Sequence, residues 1–235
     1  MLVAAAVCPC PPLLVPEVAG GAASELDAAR AACDDALGVL TAARPDRLLV
    51  VGPAAQPERG AFPAGTRGSL RGFGVEVEVA LGKGDPGERE LPTSLTVGAW
   101  LLERTGWSAA PVEGLGVGEP LEPQRCADVG REIAAGPGRL ALLVMGDGSA
   151  CRAPRAPGAF DERAAAFDAA AARALGAANT AALAALDAEL AEELHAAGRS
   201  SWQLLAGAAE EAGLAGRLLY DEAPYGVGYF VASWS

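Results

Sequence analysis

Apolar positions along the chain follow two rhythms. Residues 2–7, 48–51 and 140–145 are short runs with no polar member, the pattern of strands covered on both faces. Between the first two runs the spacing changes to threes and fours. Leu26, Ala29, Cys33, Leu37 and Leu40 follow Ser24, a candidate N-cap, and precede Pro45, which predicts a helix carrying the chain back to a second strand. Strand, helix, strand is the repeating unit of a mostly parallel sheet.

Val75, Val77, Val79 and Leu81 alternate with Glu76, Glu78 and Ala80, so a strand with one wet face is expected there, antiparallel or at a sheet edge. Helices are predicted near 93–104 and 124–134, on either side of a short strand at 112–117. Segments 160–175 and 180–195 read as amphipathic helices, the second with Leu183, Leu186, Leu190 and Leu194 on one face. The helical pattern continues over 202–209, and 218–220 and 227–233 supply the last strands. The expectation is a single α/β domain over 1–235, a mostly parallel central sheet with helices on both faces.

Composition agrees with one domain. A chain of 235 residues, 51% of them hydrophobic, can bury one large core, and at 5% aromatics that core is built mainly from Leu, Val and Ala. The formal net charge of −12 argues against broad recognition of nucleic acid or of an anionic membrane, because the attraction to phosphate would be reversed. A small-molecule ligand or a protein partner fits better. The apolar start lacks a basic leader, is broken by Pro9, Pro11 and Pro12, and is far shorter than the roughly 20 residues a membrane span needs. It reads as a strand. Cysteines at 8, 10, 33, 126 and 151 make neither an even disulfide framework nor two CxxC pairs, and a reducing, cytoplasmic location is expected.

In open α/β sheets ligands collect at the carboxyl ends of the strands. Three loops there are distinctive: Cys8-Pro9-Cys10-Pro11-Pro12, Gly52-Pro53-Ala54-Ala55 and Gly146-Asp147-Gly148-Ser149-Ala150-Cys151. Taken with Leu13, Leu14 and Pro16, with Pro45-Asp46, and with the run from Tyr220 through Asp221, Glu222, Ala223, Pro224, Tyr225, Gly226 and Val227 to Gly228, the chain resembles the LigB-type catalytic subunit of class III extradiol dioxygenases. The landmarks span nearly the whole chain in order. The resemblance implies a mononuclear Fe(II) held by two histidines and a carboxylate, with a further histidine moving protons, and cleavage of a catechol ring by O₂. Such a facial triad leaves open positions on the iron for diol and oxygen.

The chain departs from that pattern at each histidine. The resemblance places the iron-binding imidazoles at Cys10 and Ala54 and the acid/base imidazole at Ala150. A carboxylate for the third iron position remains available in Asp221 or Glu222. Asp147, Ser149 and Cys151 are candidate pocket residues, although Asp147 between glycines is also what a tight turn asks for. Cys8 and Cys10 could offer thiolates to zinc or a softer iron site, against their reading as small buried hydrophobes. A catalytic thiol would need a neighbouring base, and the one histidine, His195, lies elsewhere in sequence, near a helix end where an imidazolium is electrostatically favoured. Gly114, Gly116 and Gly118 form a GxGxG string, but Pro120 and Pro123 interrupt any helix opening directly after it.

Two functions are therefore expected in competition. One is a pseudoenzyme, a degenerate relative of the dioxygenases that keeps the pocket without the iron and serves as a small-molecule binding or interaction module. The other is a metal-dependent oxidoreductase with a site rebuilt on Cys10, Asp147 and Asp221 or Glu222. No cofactor is assigned to the chain as it stands. A homo-oligomer formed through an edge strand at 75–81 is compatible with either.

Overall fold

The computed structural model describes all 235 residues. Strand β1 (Leu2–Cys8) leads through a 3₁₀ turn into a one-turn helix α1 (Pro16–Ala19) and a second 3₁₀ stretch, then into α2 (Asp27–Ala42) and β2 (Arg47–Pro53). Two short strands, β3 (Gly60–Phe62) and β4 (Arg67–Ser69), precede β5 (Glu78–Ala80), α3 (Thr93–Arg104) and β6 (Val112–Val117). The chain continues with α4 (Pro123–Ala134), β7 (Leu140–Met145), α5 (Arg163–Gly176), α6 (Thr180–Ala184), α7 (Ala188–Glu193) and α8 (Arg199–Ala209). It closes with β8 (Gly216–Glu222) and β9 (Tyr229–Trp234).

Seven strands form one sheet in the order β3-β6-β2-β7-β1-β9-β8. The four central strands are parallel, β1 to β7, β7 to β2 and β2 to β6. Antiparallel strands flank them, β3 on one side and the β9–β8 pair on the other. The apolar runs lie in this parallel centre, where both faces are covered and no position tolerates water. Alternation along each strand divides the core in two. Leu49, Val51, Leu140, Leu142 and Val144 pack toward α4, α5 and α8 with Trp202 and Phe230, while Leu48, Val50, Ala141, Leu143 and Met145 pack toward α2 and α3.

On the first of these faces α4 and α8 touch backbone to backbone. A Cβ on Gly130 would lie 2.0 Å from Leu204 O, and one on Gly207 would lie 2.0 Å from Ala127 O. Only hydrogen fits at either crossing point.

Local chemistry explains where the sequence pattern and the elements part. The helix expected over 180–195 is two helices, because Asn179 caps α6 by accepting from Ala182 N at 3.0 Å and Asp187 caps α7 by accepting from Glu189 N and Leu190 N at 3.0 and 3.1 Å. The leucine stripe survives the break, with Leu183, Leu186 and Leu194 buried. Ser24 caps nothing: it lies in a 3₁₀ turn, and α2 starts at Asp27 with Leu26 at its N-cap and no side-chain cap.

The strand expected at 75–81 shortens to Glu78–Ala80 and pairs with β4 in a separate two-stranded sheet, away from the main edge. Arg71 pins this ribbon, reaching Glu76 at 2.8 Å and Glu78 at 2.7 Å. The edges of the main sheet are β3 and β8. The glycines 114 and 116 sit inside β6, where added Cβ atoms would strike Leu81 at 2.8 Å and Glu58 O at 2.7 Å. They permit close packing within a strand and open no phosphate loop.

Candidate functional site

The carboxyl ends of the parallel strands open on one side into a cleft with two hollows. The larger, about 500 Å³, is lined by residues that include Cys10 after β1, Pro53 and Ala54 at the end of β2, Ser94 at the start of α3, Arg59 and Glu119 after β6. The smaller, about 290 Å³, is lined by Glu119, Pro120, His195, Arg199 and residues around the end of α7. Glu119 and Pro120 border both.

Cys10 and Ala54 thus face a common space. Ala54 offers it no donor atom. Cys10 is buried, its backbone N–H donates to Asp147 Oδ1 at 2.8 Å, and its Sγ lies 3.9 Å from Oδ2. Burial pushes the thiol well above its usual value, and the carboxylates of Asp147 and Glu119 push it further, so at neutral pH this is a thiol and a poor nucleophile or metal ligand. Asp147 is half-buried, with Oδ1 engaged by the Cys10 N–H. Desolvation raises its pKa to about 7 against the opposing pull of the Cys10 N–H.

Ser149 is built into the scaffold. Its N–H and its hydroxyl both donate to the buried carboxylate of Asp168 on α5, at 2.7 and 2.9 Å, and Arg152 donates to the same group at 3.0 Å. Gly148 and Gly228 clear the space for that carboxylate, since a Cβ on either would lie 2.8 or 2.5 Å from its oxygens. The two loops are further zipped by Gly148 N to Gly228 O at 2.7 Å and Gly228 N to Ser149 O at 2.9 Å. Ala150 donates its N–H to Leu194 O at 2.9 Å, and Cys151 is buried with its Sγ donating to the same oxygen at 3.5 Å. Neither lines the cleft. Asp221 and Glu222 are exposed on the edge strand β8, outside both hollows, with Asp221 near Arg152.

His195, remote in sequence from the strand-end loops, lies beside one of them in space. A Cβ on Gly158 would stand 2.5 Å from Cys151 Sγ and 3.0 Å from His195 Cδ2. His195 itself occupies a left-handed position with φ 53°, closing α7 in a Schellman turn by its N–H to Glu192 O at 3.0 Å and that of Ala196 to Ala191 O at 2.8 Å. Arg44 and Ala178 take the same conformation after α2 and α5, so the backbone strain at His195 belongs to how this chain ends helices.

Sequence reasoning passed over Glu119, Arg199 and Ser200. Arg199 opens α8, is 3% exposed, and spends Nη1 on Leu121 O at 2.6 Å and Gln203 Oε1 at 3.0 Å. Glu119 accepts from Ser200 Oγ at 2.8 Å, with Oε2 3.9 Å from Arg199 Nε. Burial raises the pKa of Glu119, opposed by Ser200 and Arg199. The available signal was positional, because Glu119 lies two residues beyond the end of β6, a strand of the parallel sheet.

The donor set does not fit an Fe(II) triad. No group of three or more His, Cys, Asp or Glu side chains converges anywhere in the structure, and the positions where the resemblance puts imidazoles carry a neutral thiol and two methyl groups.

No family model and no curated protein matches the chain. Among solved structures it is similar to the crystal structure of an uncharacterized protein, JW3007 from Escherichia coli K12, with a TM-score of 0.59 and 11% identity over 99% of this chain and 100% of that one. At that identity the likeness shows a shared fold. The chain is an α/β domain with a mostly parallel, mixed central sheet flanked by helices, and no helix in it is long and apolar enough to cross a membrane.

Proposed function

We propose that the protein is a degenerate relative of the class III extradiol dioxygenases, a pseudoenzyme that binds a small molecule in the strand-end cleft without iron chemistry. The observation that carries this reading is the meeting of Cys10 and Ala54 on one hollow of about 500 Å³. These are the two positions where the resemblance expects imidazoles, and they share a space of the size that small-molecule sites occupy. A pocket kept open after its ligands have changed suits binding. The rebuilt metal site is the weaker reading, because Asp221 and Glu222 are exposed on β8 while Cys10 and Asp147 pair with each other. A cytoplasmic location and a small-molecule or protein partner remain part of the proposal.

The test is a fragment panel titrated into the isotope-labelled chain by NMR, with metal content measured on the same preparation. Saturable shifts at Cys10, Ala54 and Ser94 without stoichiometric metal are expected. About one metal per chain, lost on Cys10→Ser, would overturn the binding role in favour of a rebuilt metalloenzyme.

A further inference from the structure

The guanidinium of Arg199 is only half used. Nη1 is saturated by Leu121 O and Gln203 Oε1, whereas Nε is buried with no hydrogen-bond partner and Nη2 donates to nothing in the protein. Those two nitrogens form the edge of arginine that matches the two oxygens of a carboxylate. The nearest protein carboxylate, Glu119, stops 3.9 Å short of Nε and is held there by the Ser200 hydroxyl. A buried donor left unpaired carries a desolvation cost, and native structures seldom leave one without a reason.

The surroundings point the same way. Arg199 lines the 290 Å³ hollow and is the first residue of α8, whose N-cap, Gly198, offers no side-chain bond. The unpaired N–H groups at a helix start favour negative charge.

We infer that the Nε–Nη2 edge of Arg199 receives the carboxylate of a small monocarboxylic acid in the smaller hollow of the cleft. This deepens the binding role proposed above and rests on it. Charge favours a monoanion over phosphate, because Glu119 and Glu192 border the same space and would repel a dianion more strongly. Burial pushes the pKa of Glu119 up, against the pull of Ser200 and Arg199, a direction that lessens its repulsion of the acid. Arginine is required in this arrangement, since lysine presents a point charge without a planar edge.

The experiment compares butyrate, butyramide and inorganic phosphate by NMR titration of the full chain, with Arg199→Lys and Glu119→Gln as variants. Butyrate is expected to give saturable shifts over residues 195–203, with butyramide and phosphate each weaker by at least about tenfold. Arg199→Lys loses about tenfold in butyrate affinity, and Glu119→Gln retains or improves it. Equal binding of acid and amide, tighter binding of phosphate, or unchanged binding by a folded Arg199→Lys protein would overturn the inference. If that variant does not fold, the acid-to-amide ratio on the unaltered chain decides. Neutral fragments that shift Ala54 and Ser94 while butyrate shifts nothing would remove the Arg199 site and leave the binding role standing. A spectrum unmoved by every compound would remove both.

Discussion

Cys10 and Asp147 are joined across 137 positions of sequence by one hydrogen bond of 2.8 Å, from the backbone N–H of the first to the carboxylate of the second. It ties the loop after β1 to the loop after β7 beneath the larger hollow. Because the carboxylate is desolvated, its pKa rises to about 7 from a usual 3.8. The folded protein therefore holds a proton there that the unfolded chain has released.

The sign of the pH dependence follows. Between about pH 4 and 7 the native state binds more protons at this site, so its contribution to stability is present at the acid end and is lost as pH rises through the folded pKa. With about 1.4 kcal/mol per unit as the ceiling, and some solvent access to the residue, a fall of about 1–3 kcal/mol across the window is expected. Asp147→Asn keeps an acceptor for Cys10 N–H and removes the titration. Urea unfolding at several pH values should show that fall in the natural chain relative to the variant, and parallel curves would refute it.

Asp168 should matter more to folding than any residue lining the cleft. Its carboxylate satisfies Ser149 twice and Arg152 once, and it is 1% exposed. Asp168→Ala strands a buried N–H, a hydroxyl and a guanidinium, with an expected loss of about 3–5 kcal/mol by chemical denaturation. A loss under about 1 kcal/mol would mean that water replaces the carboxylate readily.

Cys10→His with Ala54→His places two imidazoles on a hollow that Glu119 also borders. If the resemblance assigns these positions correctly, the double variant should retain about one divalent metal per chain after purification, by the donor logic of a two-histidine, one-carboxylate site. Mass-spectrometric metal content checks it. A folded double variant that binds none would mean that the loops have been matched to the wrong residues.

His195→Gly separates a packing role for the imidazole from a role in the cleft. Left-handed backbone costs a side-chain-bearing residue roughly 1–2 kcal/mol; glycine relieves that strain, and its freer unfolded state offsets part of the gain. Stability should be unchanged or higher by up to about 1 kcal/mol in urea unfolding. A clear loss would show that the ring is packed as structure.

Fold and site were legible to different depths. The parallel core could be read because residues 140–145 and 48–51 contain no polar position, and only a doubly covered strand permits that. The break between α6 and α7 could not, since Leu183 and Leu190 keep a helical period across it and the competing caps of Asn179 and Asp187 look like ordinary polar surface. At the site, Cys10 and Ala54 were found as strand-end positions. Ser149 was misjudged because its partner, Asp168, is an acid on an alanine-rich helix whose burial no local pattern announces. Arg199 and Glu119 escaped because they come together only across 80 residues of sequence, and a donor left without a hydrogen-bond partner leaves no trace in the residue pattern.

The crossing of α4 and α8 at Gly130 and Gly207 bears on how the cleft can breathe. Two backbones in contact leave no slack for one helix to slide or tilt on the other, so the start of α8, and Arg199 with it, acts as an anvil fixed to the sheet. The larger hollow is bounded in part by Ala55, Glu58 and Arg59 of the exposed β2–β3 turn, and that turn is braced too: Arg89 donates to Pro57 O at 3.5 Å and to Arg59 O at 3.0 Å, and Glu58 O lies against Gly116 of β6. Both hollows are thus framed by backbone that glycine lets come close, at Gly130 and Gly207 on one side and at Gly116 on the other, so the space offered to a guest is fixed by the fold before the guest arrives.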